Sequence, residues 1–203
     1  MTDNQAHWNN AYSSKGDNVS WYQPLGSRSL EIIRSAAPMH GTSIIDIGAG
    51  TSRLADGLLA AGYSDLTLLD ISGIALQRTK DRLGGAADQV RWIAADISQW
   101  KPNRTWDVWH DRAVFHFLIG HAAQDSYIAA LKQATRPGST VILSTFALTG
   151  PDKCSGLPVQ RYSAETLATR LGPDFELSTQ EAEQHRTPFG TTQDFIYAGF
   201  RRR

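Results

Sequence analysis

Between Ser43 and Phe146 short apolar runs alternate with amphipathic stretches, and this alternation restricts the possible folds more than any other feature of the chain. The runs at 44–47, 66–69, 90–94, 106–110 and 140–146 have the length of strands. Between them, Leu54, Leu58 and Leu59 share a helical face that Gly62 ends, and a second helix is expected from about Ile74 to Leu83, stopped by Gly84 and Gly85. Tyr127, Leu131 and Ala134 mark a third, closed by Arg136-Pro137-Gly138. Strands that alternate with helices need right-handed crossovers and so lie mostly parallel. After Gly150 the rhythm changes. Ser163 is placed to cap a helix ending at Leu171, and two strands follow near 175–182 and 194–201, across the turn 187–190. With no helix between them, these two form an antiparallel hairpin at a sheet edge. The expected fold class is α/β.

At 203 residues the chain fits one domain, 1–203, made of an N-terminal segment, 1–28, and a core, 29–203. The N-terminal segment is polar but carries Trp8, Tyr12, Trp21 and Tyr22, too many aromatics for a disordered tail. The four-residue spacing of His7/Ala11 and Trp8/Tyr12 predicts a short helix, with a loop over 13–18. Twenty basic and twenty acidic residues cancel, which argues against a nucleic-acid partner. A single cysteine, Cys154, excludes an internal disulfide and fits a reducing compartment. The opening residues do not resemble a secretory signal, and no apolar run approaches the roughly 18 residues of a membrane span, so a cytoplasmic protein without membrane contact is expected.

Ligands of open parallel sheets bind beyond the carboxyl ends of the strands. The first strand ends in Asp46-Ile47-Gly48-Ala49-Gly50-Thr51-Ser52, where the two glycines let backbone N–H groups approach a ligand ahead of a helix N-terminus. Twenty residues past Gly50, Asp70 ends the second strand, followed by Ile71, and a carboxylate there can accept both hydroxyls of a ribose. Asp96-Ile97 follows the third strand, with an acceptor for an exocyclic amine and an apolar neighbour for a purine face. Taken singly, the Gly-x-Gly is as readily a structural turn and a strand-end Asp a helix cap. A dinucleotide is disfavoured because Arg53 stands where a third glycine is required, and Asp46 suits an ammonium better than a pyrophosphate. The ligand reads as an adenosine with an amino-acid tail.

Over residues 30–148 this order of motifs resembles the class I S-adenosylmethionine-dependent methyltransferases. The resemblance implies a Rossmann-like seven-stranded, mostly parallel sheet of order 3-2-1-4-5-7-6 with an antiparallel seventh strand, and S-adenosyl-L-methionine as cofactor. It also implies that Asp46, Gly48, Gly50 and Thr51 hold the methionine end, Asp70 and Ile71 the ribose, and Asp96 and Ile97 the adenine. Ser52 replaces the family's usual third glycine. With Val19-Ser20-Trp21-Tyr22 upstream, this resembles the methyltransferase-like branch that includes protein-lysine methyltransferases. Trp21 and Tyr22 are expected to close over the methionine end, with the segment 7–23 acting as a lid.

On the acceptor side, strand four runs into His110, Asp111 and Arg112, followed by His116 in an apolar run. His110 and Asp111 are equally suited to capping the next segment, and His116 to a core position. The loop after strand five carries Cys154, and His185 lies next to the hairpin turn. These five residues, His110, Asp111, His116, Cys154 and His185, are the catalytic candidates. Cysteine and histidine together would suit a soft acceptor. The Asn/Asp-Pro-Pro-Tyr/Phe signature of nucleobase methylation is missing, and no second carboxylate suggests a metal. The expected activity is methylation of a small nucleophile such as a thiol, with a protein lysine as the alternative.

Overall fold

The computed structural model describes residues 2–15, 19–23 and 27–203. Two helices, α1 (Asp3–Lys15) and α2 (Arg28–Ala36), precede β1 (Ser43–Ile47). Then come α3 (Leu54–Ala60), β2 (Asp65–Asp70), α4 (Gly73–Leu83), β3 (Val90–Ala94), β4 (Val108–Arg112), α5 (His121–Ala134) and β5 (Thr140–Phe146). A small hairpin of β6 (Lys153–Cys154) and β7 (Leu157–Pro158), α6 (Ala164–Leu171) and the long hairpin of β8 (Phe175–Arg186) and β9 (Thr192–Arg202) complete the chain.

The main sheet has seven strands in the order β3-β2-β1-β4-β5-β9-β8. All pairings from β3 to β5 are parallel, and β9 runs antiparallel to both β5 and β8. This is the expected Rossmann-like order with its reversed strand. β1 is buried at every position, as a central strand covered on both faces must be. One core cluster joins α5 and α6 to the sheet through Trp106, Trp109, Tyr127, Leu131 and Leu167, and a second joins α2 and α3 through Ile33, Leu54 and Leu58.

Several boundaries differ from the sequence reading. α1 reaches Lys15, so the expected loop over 13–18 begins later, and residues 16–18 lie outside the described residues. Sequence analysis assigned no element to α2, whose buried face is only Ser29 and Ile33. β4 lies two residues further along than expected. Its polar end, His110 to Arg112, is tied into the sheet by pairing with Ile142, Leu143 and Ser144 of β5. Trp106 instead precedes the strand, its N–H donating to the carbonyl of Ala134 at the end of α5. The loop bearing Cys154 folds into the β6–β7 hairpin, whose two turn residues, Ser155 (φ 51°) and Gly156 (φ 80°), both have the left-handed backbone that two-residue hairpins demand.

Candidate functional site

The carboxyl ends of β1 to β4 surround a cavity of about 380 Å³. Its floor is Ile47 and Gly48 after β1, Asp70 and Ile71 after β2, Ala95 to Ser98 after β3, and Arg112 to Val114 after β4. The roof comes from elsewhere: Asn4, Trp8 and Tyr12 of α1, Trp21, and Cys154, Leu157 and Pro158 of the small hairpin. A smaller cavity of about 40 Å³ adjoins it, lined by Asp46, Thr51, His110, Ser29 and Tyr22 among others, and shares Tyr12, Trp21, Gly48 and Arg112 with the larger one.

The glycine loop is built by close approach. The N–H groups of Gly48 and Ala49 both donate to the carbonyl of Leu69, at 2.7 and 3.0 Å. Gly48 and Gly50 have φ of 67° and 53°. A β-carbon on Gly48 would lie 2.0 Å from Val114 Cγ2, and one on Gly50 2.3 Å from the Tyr12 hydroxyl. Both positions therefore exclude side chains on two grounds, backbone conformation and space.

Asp70 binds this loop to its own strand end. Its Oδ2 accepts the Gly50 N–H at 2.8 Å and its Oδ1 the Ser72 N–H at 2.7 Å. Burial, reinforced by the nearby charge of Asp46, pushes its pKa up to about 6 against the pull of those two donors. Asp96 accepts from the Ser98 N–H and hydroxyl, both at Oδ1, and lines the large cavity beside Ile97. Of the ten residues expected on the cofactor side, nine line one cavity or both. Trp21 and Gly48 line both, Asp70, Ile71, Asp96 and Ile97 the larger, and Tyr22, Asp46 and Thr51 the smaller. Gly50 lines neither, because the Tyr12 hydroxyl covers it.

The acceptor-side expectations divide differently. Cys154 is buried and lines the large cavity, and His110 lines only the smaller one. Asp111, His116 and His185 line neither. Asp111 is fully buried, where its carboxylate accepts the N–H groups of Val114 and Phe115 and the hydroxyl of Tyr127, at 2.9, 3.1 and 2.6 Å. It brackets the turn after β4, and burial raises its pKa to about 6. His116 is fully buried between the rings of Phe117 and Phe146, its Nδ1 accepting the Phe146 N–H at 3.3 Å, and burial lowers its pKa to about 3. It is a neutral core histidine. His185 Nε2 donates to the Ser20 carbonyl at 2.8 Å, so it holds the N-terminal segment instead of facing a substrate.

Residues that sequence reasoning left out of the site stand in its walls. Arg112 lines both cavities, stacks over Phe195 at 4.5 Å, and donates to the Trp21 carbonyl at 2.9 Å. Its terminal NH2 nitrogen is buried without a hydrogen bond, 3.8 Å from the carboxylate of Glu183. Trp8 meets Trp21 and Phe117 edge-on, with ring centroids 5.8 and 5.0 Å apart. Tyr12 is buried, and burial together with Asp70 raises its pKa well above the usual phenol value, so its hydroxyl keeps its proton. The aromatic spacing of Trp8 and Tyr12 was visible in sequence, as was the position of Arg112 on the acceptor side after strand four, but not its contacts with Phe195 and the Trp21 carbonyl. Among the described residues no cluster of potential ligands could hold a metal ion, and no helix is long and apolar enough to cross a membrane.

Comparison with known proteins agrees with this geometry. A family model described as a methyltransferase domain matches residues 45–141, which run from within β1 through the glycine loop and β4 to the start of β5. The eEF1A lysine and N-terminal methyltransferase of Mus musculus is 27% identical over 77 residues, 37% of this chain. The matched part is only 11% of that relative's length. Among solved structures, one reported for the conversion of a disulfide bond into a thioacetal group during echinomycin biosynthesis has a TM-score of 0.75 at 20% identity, covering 98% of this chain and 92% of that one. The Burkholderia thailandensis 1,6-didemethyltoxoflavin-N1-methyltransferase, with 1,6-didemethyltoxoflavin and S-adenosylhomocysteine bound, has a TM-score of 0.68 at 17% identity, covering 95% and 80%. With the sheet order, the glycine loop and the acids after three successive strands, these matches show that the chain has the fold of known methyltransferases and that residues 45–141 match a methyltransferase-domain model.

Proposed function

We propose that the protein transfers a methyl group from S-adenosylmethionine to a small, largely apolar acceptor through a soft nucleophile such as a thiolate. The observation that carries this reading is the composition of the acceptor end of the large cavity. Trp8, Tyr12, Trp21, Phe117, Cys154 and Leu157 stand there, while the imidazoles of His110, His116 and His185 and the carboxylate of Asp111 do not reach it. Among the described residues that end holds no group suited to take a proton near neutral pH. An acceptor that reacts there must therefore bring its lone pair ready, as a thiolate does, because a thiol is a few per cent ionised at pH 7 and strongly nucleophilic in that form.

The chain's own residues divide the remaining work. Asp70 and Asp96 are the acceptors for ribose hydroxyls and the adenine amine, and Asp46 and Thr51 bound the recess suited to the amino-acid tail. The bound donor supplies an electrophilic methyl carbon. Arg112, with its unbonded NH2, brings a positive charge to the wall beside an incoming anion. The aromatic roof excludes water and restricts the acceptor's orientation, which is the main catalytic demand of an in-line displacement.

A lysine side chain is the second reading, favoured by the similarity to the eEF1A lysine and N-terminal methyltransferase. It is a poorer match to this cavity, since an ammonium must first lose a proton and would meet Arg112. The test is methyl transfer at pH 7 and pH 8.5 to a panel of thiols and primary amines of graded acidity, run beside whole-cell extract. Rates that rise with each acceptor's thiolate fraction support the proposal. Transfer to an extract protein while free thiols stay unmethylated would replace it with the lysine reading.

A further inference from the structure

A line of buried hydrogen bonds crosses four elements of the fold and ends on Asp46. Arg112 Nε donates to the Tyr197 hydroxyl at 3.1 Å. The Tyr197 hydroxyl lies 3.2 Å from Ser29 Oγ, Ser29 Oγ 2.9 Å from His110 Nε2, and His110 Nδ1 2.7 Å from Asp46 Oδ1. A guanidinium can only donate and a carboxylate only accept, so both ends of the line are fixed. With a neutral His110 imidazole, every hydrogen between them runs one way: Arg112 to Tyr197, Tyr197 to Ser29, Ser29 to His110, and His110 to Asp46. Asp46, Ser29, His110 and Tyr197 are each at most 4% exposed, so water cannot substitute for a lost link without a cost.

From this arrangement we infer that Tyr197 and Ser29 are positioning residues for the amino-acid end of the methyl donor, acting through His110 on Asp46. The inference rests on the donor assignment above. Asp46 faces the small recess with Oδ1 engaged by His110, while Oδ2 has no hydrogen-bond partner among the described residues. The imidazole thus fixes the rotation of the carboxylate and leaves one oxygen for the donor's ammonium group. Tyr197 sits on β9 and lines neither cavity, so it has no direct route to the ligand. The same Arg112 that starts the line also holds the Trp21 carbonyl, which ties the orientation of Asp46 to the seating of the aromatic roof.

The experiment is calorimetric titration of wild type, Tyr197→Phe and Ser29→Ala with S-adenosylhomocysteine and with 5′-methylthioadenosine, which has the adenosine and sulfur but no amino-acid tail. We expect each variant to bind S-adenosylhomocysteine about tenfold more weakly and 5′-methylthioadenosine unchanged. The double variant should lose little beyond the singles, because one broken link already interrupts the line. Parallel losses for both ligands, or no loss for either, would overturn the inference and reduce these residues to packing. Ser29 lines the small recess itself, so Tyr197→Phe separates the hydrogen-bonded line from a direct contact, and the non-additivity of the double variant checks it independently. Wild-type protein that binds neither ligand would overturn the donor assignment itself, a result distinct from either pattern among the variants.

Discussion

At the scale of single residues, burial sets the protonation of three polar side chains, and the signs differ. His116 has a pKa near 6.5 when unfolded and about 3 in the fold, so below pH 6.5 the unfolded chain takes up a proton that the native one refuses. Its effect on stability is complete above pH 6.5 and turns increasingly unfavourable as pH falls towards 3. Asp70 and Asp111, raised from 3.8 to about 6, behave oppositely: their contribution is present at acid pH and lost as pH rises through that window. Replacing His116 with Phe should therefore stabilise the protein relative to wild type by about 2 kcal/mol more at pH 5 than at pH 7.5. Denaturant unfolding at the two pH values checks this, and turnover should stay close to wild type because the ring lines no cavity. Tyr127→Phe makes the complementary test. It removes a 2.6 Å donor from the buried Asp111 carboxylate and leaves the Trp109 indole N–H without its acceptor. We expect a loss of about 2–4 kcal/mol, larger at pH 8 than at pH 5, where Asp111 carries less charge. These residues also show where sequence reading ends. The Gly48, Asp70 and Asp96 positions were legible because a strand end followed by a turn is a local pattern. Ser29 and Tyr197 were not, nor was the partner of Arg112, because these contacts join residues 81 to 168 apart in the chain. His116 sits within an apolar run, and only the packed rings around it distinguish core from catalysis.

At the scale of elements, α1 and the segment 19–23 cover the site without belonging to the main core clusters. They are fastened by the packing of Trp8 on Phe117 and of Trp21 on a small third cluster, and by polar contacts: Ser72 Oγ with Asn9 Oδ1, Arg112 with the Trp21 carbonyl, His185 with the Ser20 carbonyl, and Gln23 with Glu183. A part held this way can open at lower cost than the sheet can unfold, and we propose that it is the lid. Deleting residues 1–24, which spares α2, should leave a cooperatively folding core in thermal unfolding. The same variant should bind S-adenosylhomocysteine at least tenfold more weakly and lose turnover; full activity would refute the lid. Gly50→Ala tests the closed position from the other side. The added β-carbon meets the Tyr12 hydroxyl at 2.3 Å, so it should displace Tyr12 and weaken donor binding, with Tyr12→Phe in the same background restoring part of the loss. The aromatics of this segment were legible as a group needing a surface. That they roof the acceptor end was not, because the contact depends on how α1 packs on α4.

At the scale of the whole molecule, hydrophobic period alone carried most of the architecture, since strands buried on both faces and helices with one apolar stripe admit few arrangements. The reversed β9 followed from two strands lacking a helix between them. The extra length of β8, by contrast, was hidden because it extends through polar residues, Glu183 to Arg186, of which Glu183 and His185 find their partners in the distant N-terminal segment. The two cavities share four wall residues, two of which, Tyr12 and Trp21, belong to the roof. One movement therefore opens both chambers. This makes the order of events a property of the architecture: the donor has to be seated before the roof can close, and the acceptor's chamber exists only once it has. The demethylated donor leaves only when the roof opens again, which dismantles that chamber. Steady-state kinetics should then be ordered, with S-adenosylhomocysteine competitive against the methyl donor and non-competitive against the acceptor. In a cell, flux through such an enzyme would follow the ratio of donor to spent donor more closely than the supply of the compound it methylates.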